Sequence, residues 1–374
     1  MNFDYNEEQQ LLADSVRRFL AKDYGFEARK KIVASPEGWS AAVWATLAEM
    51  GLTGLPISPD YGGFGGGAVD LMGVMEAAGD ALLVEPYLAT VGLGAQLIAR
   101  GGSEAQKKRI LRGVVEGKVR LAFAHTEAGA RYNLAHVRAA ARKSGSGWTL
   151  EGEKRVVLGA PMAEHLVVSA KSDRGISLFL VERGAKGLGI KPYVTLDEQR
   201  AADITFKGVS VGADALIGKE GEALPLVEEV VDFATALICA EAVGAMKFAC
   251  DTTLEYLKTR KQFGVPIGTF QALQHRMVDM FIAYEQAKSM ACLACSRADA
   301  AADPRERSRA ISAAKIKIAD NCRHVSQESV QLHGGMGMTE ELKVSHTFRR
   351  LTVIAQQFGD ADHHLARFAA LQAA

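Results

Sequence analysis

The residues best able to do chemistry in this 374-residue chain sit in a few short motifs. Arg260-Lys-Gln-Phe-Gly264 closes a long apolar stretch. A guanidinium can grip an anion bidentately, although a cation followed by glycine is also ordinary chemistry for a helix C-terminus. Gln331-Leu-His-Gly-Gly-Met-Gly337 places three glycines in four positions. Such a run lets backbone approach a ligand closely and turn its N–H groups toward phosphates. It is not a Walker loop, because no Gly-Lys-Ser/Thr follows, nor a dinucleotide fingerprint, because no strand precedes it. Phe123-Ala-His-Thr-Glu-Ala-Gly-Ala130 could present a hydroxyl and backbone donors to a bound group, or simply turn the chain. His363 and His364 are adjacent, and neighbouring helix residues point ~100° apart, so they are poor joint metal ligands. Cys292 and Cys295 form a CxxC without a second ligand pair at zinc spacing. No G-x-S-x-G and no H-E-x-x-H occurs, and no metal is expected.

The elements that must position these motifs fall into three blocks. Residues 1–117 read as helical. Asn6 is placed to cap a helix, with Glu7 and Glu8 in its first turn and Gln9 completing a capping box. Leu11, Leu12, Val16, Phe19 and Leu20 then recur at helical spacing. Trp39–Met50, Met72–Gly79 and Pro86–Gly101 are further helices, separated by the glycine-rich 56–67 loop. Residues 118–225 change character: short β-branched segments recur between turn signals, which predicts a small β domain. Ser144-Gly-Ser-Gly147 reads as a hairpin turn. From 226 to 374 the helical period returns, with helices over Val227–Arg260, Gln271–Asp299, Pro304–Leu332 and Glu340–Leu371, the last interrupted at Phe358-Gly359.

Composition excludes several classes. The 44 Lys+Arg balance 44 Asp+Glu, leaving no field to gather polyanions, so no nucleic-acid partner is expected. A hydrophobic share of 48% with 24% charged is globular composition. The N-terminus lacks the basic and apolar regions of a secretory signal. No uninterrupted apolar run reaches the ~18 residues of a membrane span. Five cysteines, an odd count, fit buried free thiols and a cytoplasmic chain.

Taken together, the order and spacing of these pieces resemble the acyl-CoA dehydrogenase family over essentially the whole chain. The landmarks are Tyr61-Gly-Gly63, Thr126-Glu127, Trp148-Thr-Leu-Glu-Gly-Glu-Lys154, Gly208-Val-Ser-Val211, Arg260-Lys-Gln-Phe-Gly264, Gln271 and Gln331–Gly337. Phe358-Gly-Asp-Ala-Asp-His-His-Leu-Ala-Arg367 is most similar to the small-subunit type, as in pimeloyl-CoA dehydrogenase. The resemblance implies a mostly α fold with a central β domain: an N-terminal helical domain, a middle β-barrel-like domain and a C-terminal four-helix bundle. It implies FAD, whose adenosine and pyrophosphate end is completed by a neighbouring subunit. Arg260, Phe263, Gln271, Gln331, Gly334 and Gly335 would serve that end, and Thr126 would lie by the isoalloxazine. It also implies α,β-dehydrogenation of an acyl-CoA thioester, in which a carboxylate takes the α-proton and the flavin is reoxidised by electron-transferring flavoprotein.

The chain departs from that pattern at the reacting centre. Counted without gaps from Gly334, the family's usual glutamate position is Phe358, followed by the matching Gly359; shifted by one to pair the aromatics, it is Gly359, and neither residue can take a proton. The alternative base position on the long helix is Ala234. The loop Ala128-Gly-Ala-Arg-Tyr132 ends in a large pair where the family has small residues, Val156-Val-Leu158 stands in for Trp-Ile-Thr, and Asp360 replaces a threonine. A relocated base would have to be Asp360, Asp232 or Glu241; Asp232 is the acid nearest Ala234 and a candidate substrate contact. Glu241 lies two helical turns beyond Ala234, about 10 Å along the axis. The expected role is that of a small subunit, in a heterotetramer with a larger paralogous subunit. A homo-oligomer, a non-catalytic partner that only completes FAD, and a flavin oxidase or monooxygenase-like branch are the alternatives.

Overall fold

The computed structural model describes residues 5–373. Helices come first, then strands, then helices, in the order expected. The helices are α1 (Glu7–Asp23), α2 (Phe26–Ala34), α3 (Ala41–Glu49), α4 (Ala68–Ala81), α5 (Ala95–Gly101) and α6 (Glu104–Val115). The strands follow as β1 (Leu121–Ala124), β2 (Ala140–Ser144), β3 (Gly147–Leu158), β4 (His165–Ser172), β5 (Gly175–Glu182), β6 (Leu188–Val194), β7 (Arg200–Val211) and β8 (Leu216–Ile217). Helix α7 (Leu224–Thr259) leads to a small hairpin of β9 (Lys261–Gln262) and β10 (Val265–Pro266), then to α8 (Gln271–Ala300), α9 (Pro304–His333), α10 (Lys343–Gln356) and α11 (Ala361–Ala373).

By packing, the chain divides into two compact units. One comprises residues up to Lys31, Gly67–Leu83 and Thr235 onward; the other comprises Ile32–Gly66 and Val84–Ala234. In the first, α1 starts as the sequence predicts: the Asn6 side chain accepts from Gln9 N–H at 2.8 Å, and the Gln9 side chain accepts from Asn6 N–H at 3.1 Å. The N-cap of helix α4 is Gly67, which has no side chain to offer; Asp70 takes the Gly67 N–H at 2.8 Å, and Asp299, at the far end of α8, takes the N–H groups of Ala68 (2.7 Å) and Val69 (2.9 Å). A carboxylate there also complements the positive end of the helix dipole. Helices α4 and α7 cross at glycines. A Cβ on Gly79 would stand 1.9 Å from the Glu241 carbonyl oxygen, and one on Gly244 1.8 Å from that of Glu76.

In the second unit the sheet runs β6-β7-β3-β2-β4-β5-β8, with β1 beside β4 in parallel. The Ser144–Gly147 hairpin forms as expected, with Ser144 paired to Gly147. Gly147–Leu158 is one continuous strand, β3, whose register against β7 shifts between Leu150 and Glu151 and again between Lys154 and Val157. One face of the sheet buries Trp148, Leu150, Phe179, Ile204 and Phe206, with the Trp148 and Phe179 rings edge to face at 5.2 Å. Alternation along β7 places Ala202, Ile204 and Phe206 inward together. Among the described residues one helix, α7, is long and apolar enough to cross a membrane, but 89% of its apolar window is buried, so it is a core helix and no span is indicated. All five cysteines are free and buried.

Candidate active site

In the β unit, the residues after β1 are held by a buried network. Lys154, on β3, is fully buried and donates to Glu127 Oε1 (2.7 Å), the His125 carbonyl (3.1 Å) and Ser169 Oγ (2.9 Å). Glu127 also accepts the N–H groups of Ala139 (3.0 Å) and Arg138 (2.7 Å). Burial opposes ionisation of this carboxyl, but the hydrogen bonds from Lys154 and the two backbone N–H groups outweigh it and hold the pKa below the usual range. Burial likewise pushes Lys154 down, to about 8, against the pull of Glu127. Thr126 lies between these anchored residues, and its carbonyl accepts from Arg155 N–H at 2.7 Å. Its own side chain is exposed. The irregularity in β3 turns Val156 outward at φ +52°, 52% exposed. A rigid frame therefore offers one hydroxyl and one aliphatic face. Sequence reasoning marked the motif ending in Lys154 but not its role; a lysine at an inward strand position was the signal.

In the helical unit, the expected adenosine-side residues share one end of the bundle. The ends of α7 and α9 run side by side: Thr253 and Ser329 hydroxyls meet at 2.9 Å, and the Tyr256 and His333 rings stack at 4.4 Å. Arg260 lies one turn beyond Tyr256, and Gly334 directly follows His333. Arg260, Phe263, Gln271, Gln331, Gly334 and Gly335 are all exposed. Phe263 and Gly264 form the two-residue tip of the β9–β10 hairpin, both at positive φ (+55° and +84°), the backbone that a type I′ turn requires. A phenylalanine in that conformation is strained by ~1 kcal/mol or more, and its ring is 91% exposed, touching Phe270 edge to face. A Cβ built on Gly264, Gly334 or Gly335 meets nothing within 4 Å, so this surface is open to a group that must approach backbone closely. Gly337 differs: a Cβ there would stand 2.7 Å from the Val330 carbonyl oxygen, so its smallness serves packing. The donors fit a dinucleotide pyrophosphate, with Arg260 as cation and the glycine backbone as cradle.

None of the candidate acids is idle. Asp360 caps α11, its Oδ1 accepting His363 N–H at 2.8 Å. Glu241, 5% exposed, accepts from Arg350 Nε of α10 at 2.6 Å. Asp232 is 1% exposed on the early part of α7, in the other unit, and is partnered there. Phe358 adopts φ +62° at the break between α10 and α11. Lys315, fully buried on α9, donates to the carbonyls of Ala355 (3.1 Å) and Gly359 (2.6 Å). His364 Nε2 lies 3.2 Å from the Phe358 carbonyl oxygen, and its Nδ1 is 3.3 Å from Ser312 Oγ. Burial lowers the His364 pKa to about 2, with Lys315 adding to the effect, so the ring is neutral and donates through Nε2. The turn at Phe358-Gly359, where the sequence count expects the family's base, is thus firmly built, and it carries an aromatic ring. Neither Lys315 nor Arg350 stood out in sequence, because a single cation within a helix carries no spacing signal.

Comparison with known proteins agrees along the chain. Residues 6–118 match the acyl-CoA dehydrogenase N-terminal domain, 122–209 the middle domain and 224–370 the C-terminal domain. The acyl-CoA dehydrogenase FadE12 of Mycobacterium tuberculosis is 32% identical over 367 residues, covering 95% of this chain and 93% of that one. Among solved structures, the ChsE4-ChsE5 complex of the same organism matches with TM-score 0.90 and 26% identity over 100% of this chain and 99% of that one. The FAD complex of PigA matches with TM-score 0.92 and 26% identity over the same shares. The chain therefore belongs to the acyl-CoA dehydrogenase family of FAD-dependent oxidoreductases that act on the CH–CH bond of acyl-CoA thioesters.

Proposed function

We propose that this chain is the smaller subunit of a heteromeric acyl-CoA dehydrogenase, of the pimeloyl-CoA dehydrogenase small-subunit type. On this reading it completes FAD with its exposed bundle end while a larger paralogue carries the base. The observation that supports this is an asymmetry. The adenosine-side residues are outward-facing and unencumbered. On the ungapped count the base position falls at Phe358, and the candidate acids are committed: Asp360 to capping α11 and Glu241 to Arg350. Asp360 remains the better relocated base, since it is partly exposed and caps a helix, whereas Glu241 would have to break a buried ion pair.

Removing an α-proton from a thioester needs a dry site, a carboxylate with a raised pKa and fixed donors to the enolate oxygen. When bound, FAD supplies the hydride acceptor. The chain's own contributions are positional. Lys154 and Glu127 fix Thr126, Arg260 meets negative charge, and Gly334 and Gly335 allow close backbone approach. Electron-transferring flavoprotein would be the oxidant, and the ChsE4-ChsE5 complex offers a precedent for two different chains assembling on this fold.

The test is Arg260→Ala in this chain, co-expressed with its larger paralogue. Flavin content of the assembly should fall at least tenfold while the two chains still co-purify. Unchanged flavin content would show that Arg260 does not complete the cofactor site.

A further inference from the structure

Away from these motifs, the helical unit contains a cavity of about 610 Å³, within the ~300–1,000 Å³ range of small-molecule sites. Residues of four helices, with Tyr5 two positions ahead of α1, line it. The floor is Met72 and Glu76 of α4 and Cys292 of α8, with the Tyr5 ring beside them. The rim carries Arg17 of α1, Lys247 of α7, and Tyr284, Glu285, Lys288 and Ser289 of α8.

The charges inside are arranged rather than scattered. Glu76 is the less exposed carboxylate, and both its oxygens are taken: Tyr5 donates its hydroxyl to Oε1 (2.9 Å) and Arg17 donates to Oε2 (3.0 Å). Arg17 is thereby paired with Glu76, and Asp14 lies 3.4 Å from its other terminal nitrogen. Lys247 pairs with Asp251 on its own helix. Lys288 makes no hydrogen bond among the described residues, and its charge reaches Glu76 only through space. Of the three cations lining the cavity, Arg17 and Lys247 are held in ion pairs, and Lys288 is in none among the described residues. Lys288 is exposed, whereas the more buried lining is the Met72 thioether, the Cys292 thiol and the Tyr5 ring around the paired Glu76. A monoanion with an apolar body matches this layout. A dianion such as phosphate would be opposed by Glu76 and Glu285.

We propose that this cavity binds an amphipathic monocarboxylate, its head group on Lys288 and its apolar body over Met72 and Cys292. The site is separate from the residues assigned above to FAD and to the base.

The probe is octanoate, titrated calorimetrically into the protein as purified, with octylamine and inorganic phosphate as controls. One saturable octanoate site is expected, with no response to either control and no change in the flavin spectrum of the loaded protein. Lys288→Gln should weaken binding about tenfold, the loss of one charge-assisted contact. Ser289→Trp, an exposed position that would plug the mouth, should abolish it without altering the melting temperature. Absence of saturable octanoate binding overturns the proposal. So do binding that both variants leave unchanged, equal binding of phosphate or octylamine, and a flavin spectrum that shifts with octanoate.

Discussion

Glu241 gives the sharpest test of whether a buried acid near the expected site is structural or chemical. Its carboxylate and the Arg350 guanidinium are 6% and 7% exposed as side chains, and the Nε–Oε1 distance is 2.6 Å. The pair joins α7 to α10. Arg350→Met would leave an uncompensated carboxylate in the interior, and breaking one side of a buried pair costs about 3–5 kcal/mol. Replacing both partners by apolar residues of similar size is often close to neutral. Glu241→Leu combined with Arg350→Met should therefore recover most of the loss, giving a coupling of at least about 2 kcal/mol in a double-mutant cycle. Urea denaturation of the four proteins, at equal flavin saturation, reads this directly. Glu241→Gln separates the roles: it should lower stability by about 1–3 kcal/mol and leave acyl-CoA-dependent flavin bleaching in the co-expressed assembly untouched. A loss below 1 kcal/mol for Arg350→Met would refute the buried-pair reasoning. Intact stability with abolished bleaching in Glu241→Gln would make Glu241 the base.

Other consequences follow from the same packing. Gly244→Ala places a methyl against the Glu76 carbonyl oxygen, a backbone atom that cannot swing aside; a loss of about 2–3 kcal/mol is expected, and a neutral result would deny the α4–α7 contact. His364 and His125 are held neutral by burial, their pKa values lowered to about 2 and about 3. Below the unfolded value near 6.5 the unfolded chain takes up protons that the folded chain refuses, so stability falls as pH drops. Each histidine should cost about 2 kcal/mol at pH 5 relative to pH 7, measured by denaturation across that range; a flat profile would count against both. The Gln357 side-chain amide is buried with no hydrogen-bond partner among the described residues, so Gln357→Met should stabilise the flavin-free protein by about 1 kcal/mol. A destabilised variant would reveal a partner for that amide.

Much of this organisation was legible in the sequence because it depends on local signals. The α1 capping box, the Ser144–Gly147 hairpin and the break at Phe358-Gly359 each need only neighbouring residues. The Arg260–Gly264 motif was legible as a local unit for the same reason: it is one helix end and one turn. What stayed hidden is held by partners far along the chain. Asp299 caps a helix that begins more than two hundred residues earlier, Lys154 reaches back to Glu127, and Arg350 consumes Glu241. These contacts decide which acids are available, and no spacing rule reports them. The positive φ of Phe263 was equally hidden, since glycine alone marked that turn and the strained residue is its neighbour.

The central claim is that this chain completes a flavin site without owning a base. Anaerobic titration of acyl-CoA into the isolated chain, reconstituted with FAD and followed at the flavin absorption band, tests it most directly. The account predicts no bleaching with the chain alone and bleaching once the larger paralogue is present. Stoichiometric bleaching by the isolated chain would contradict it and return Asp360 to the role of base.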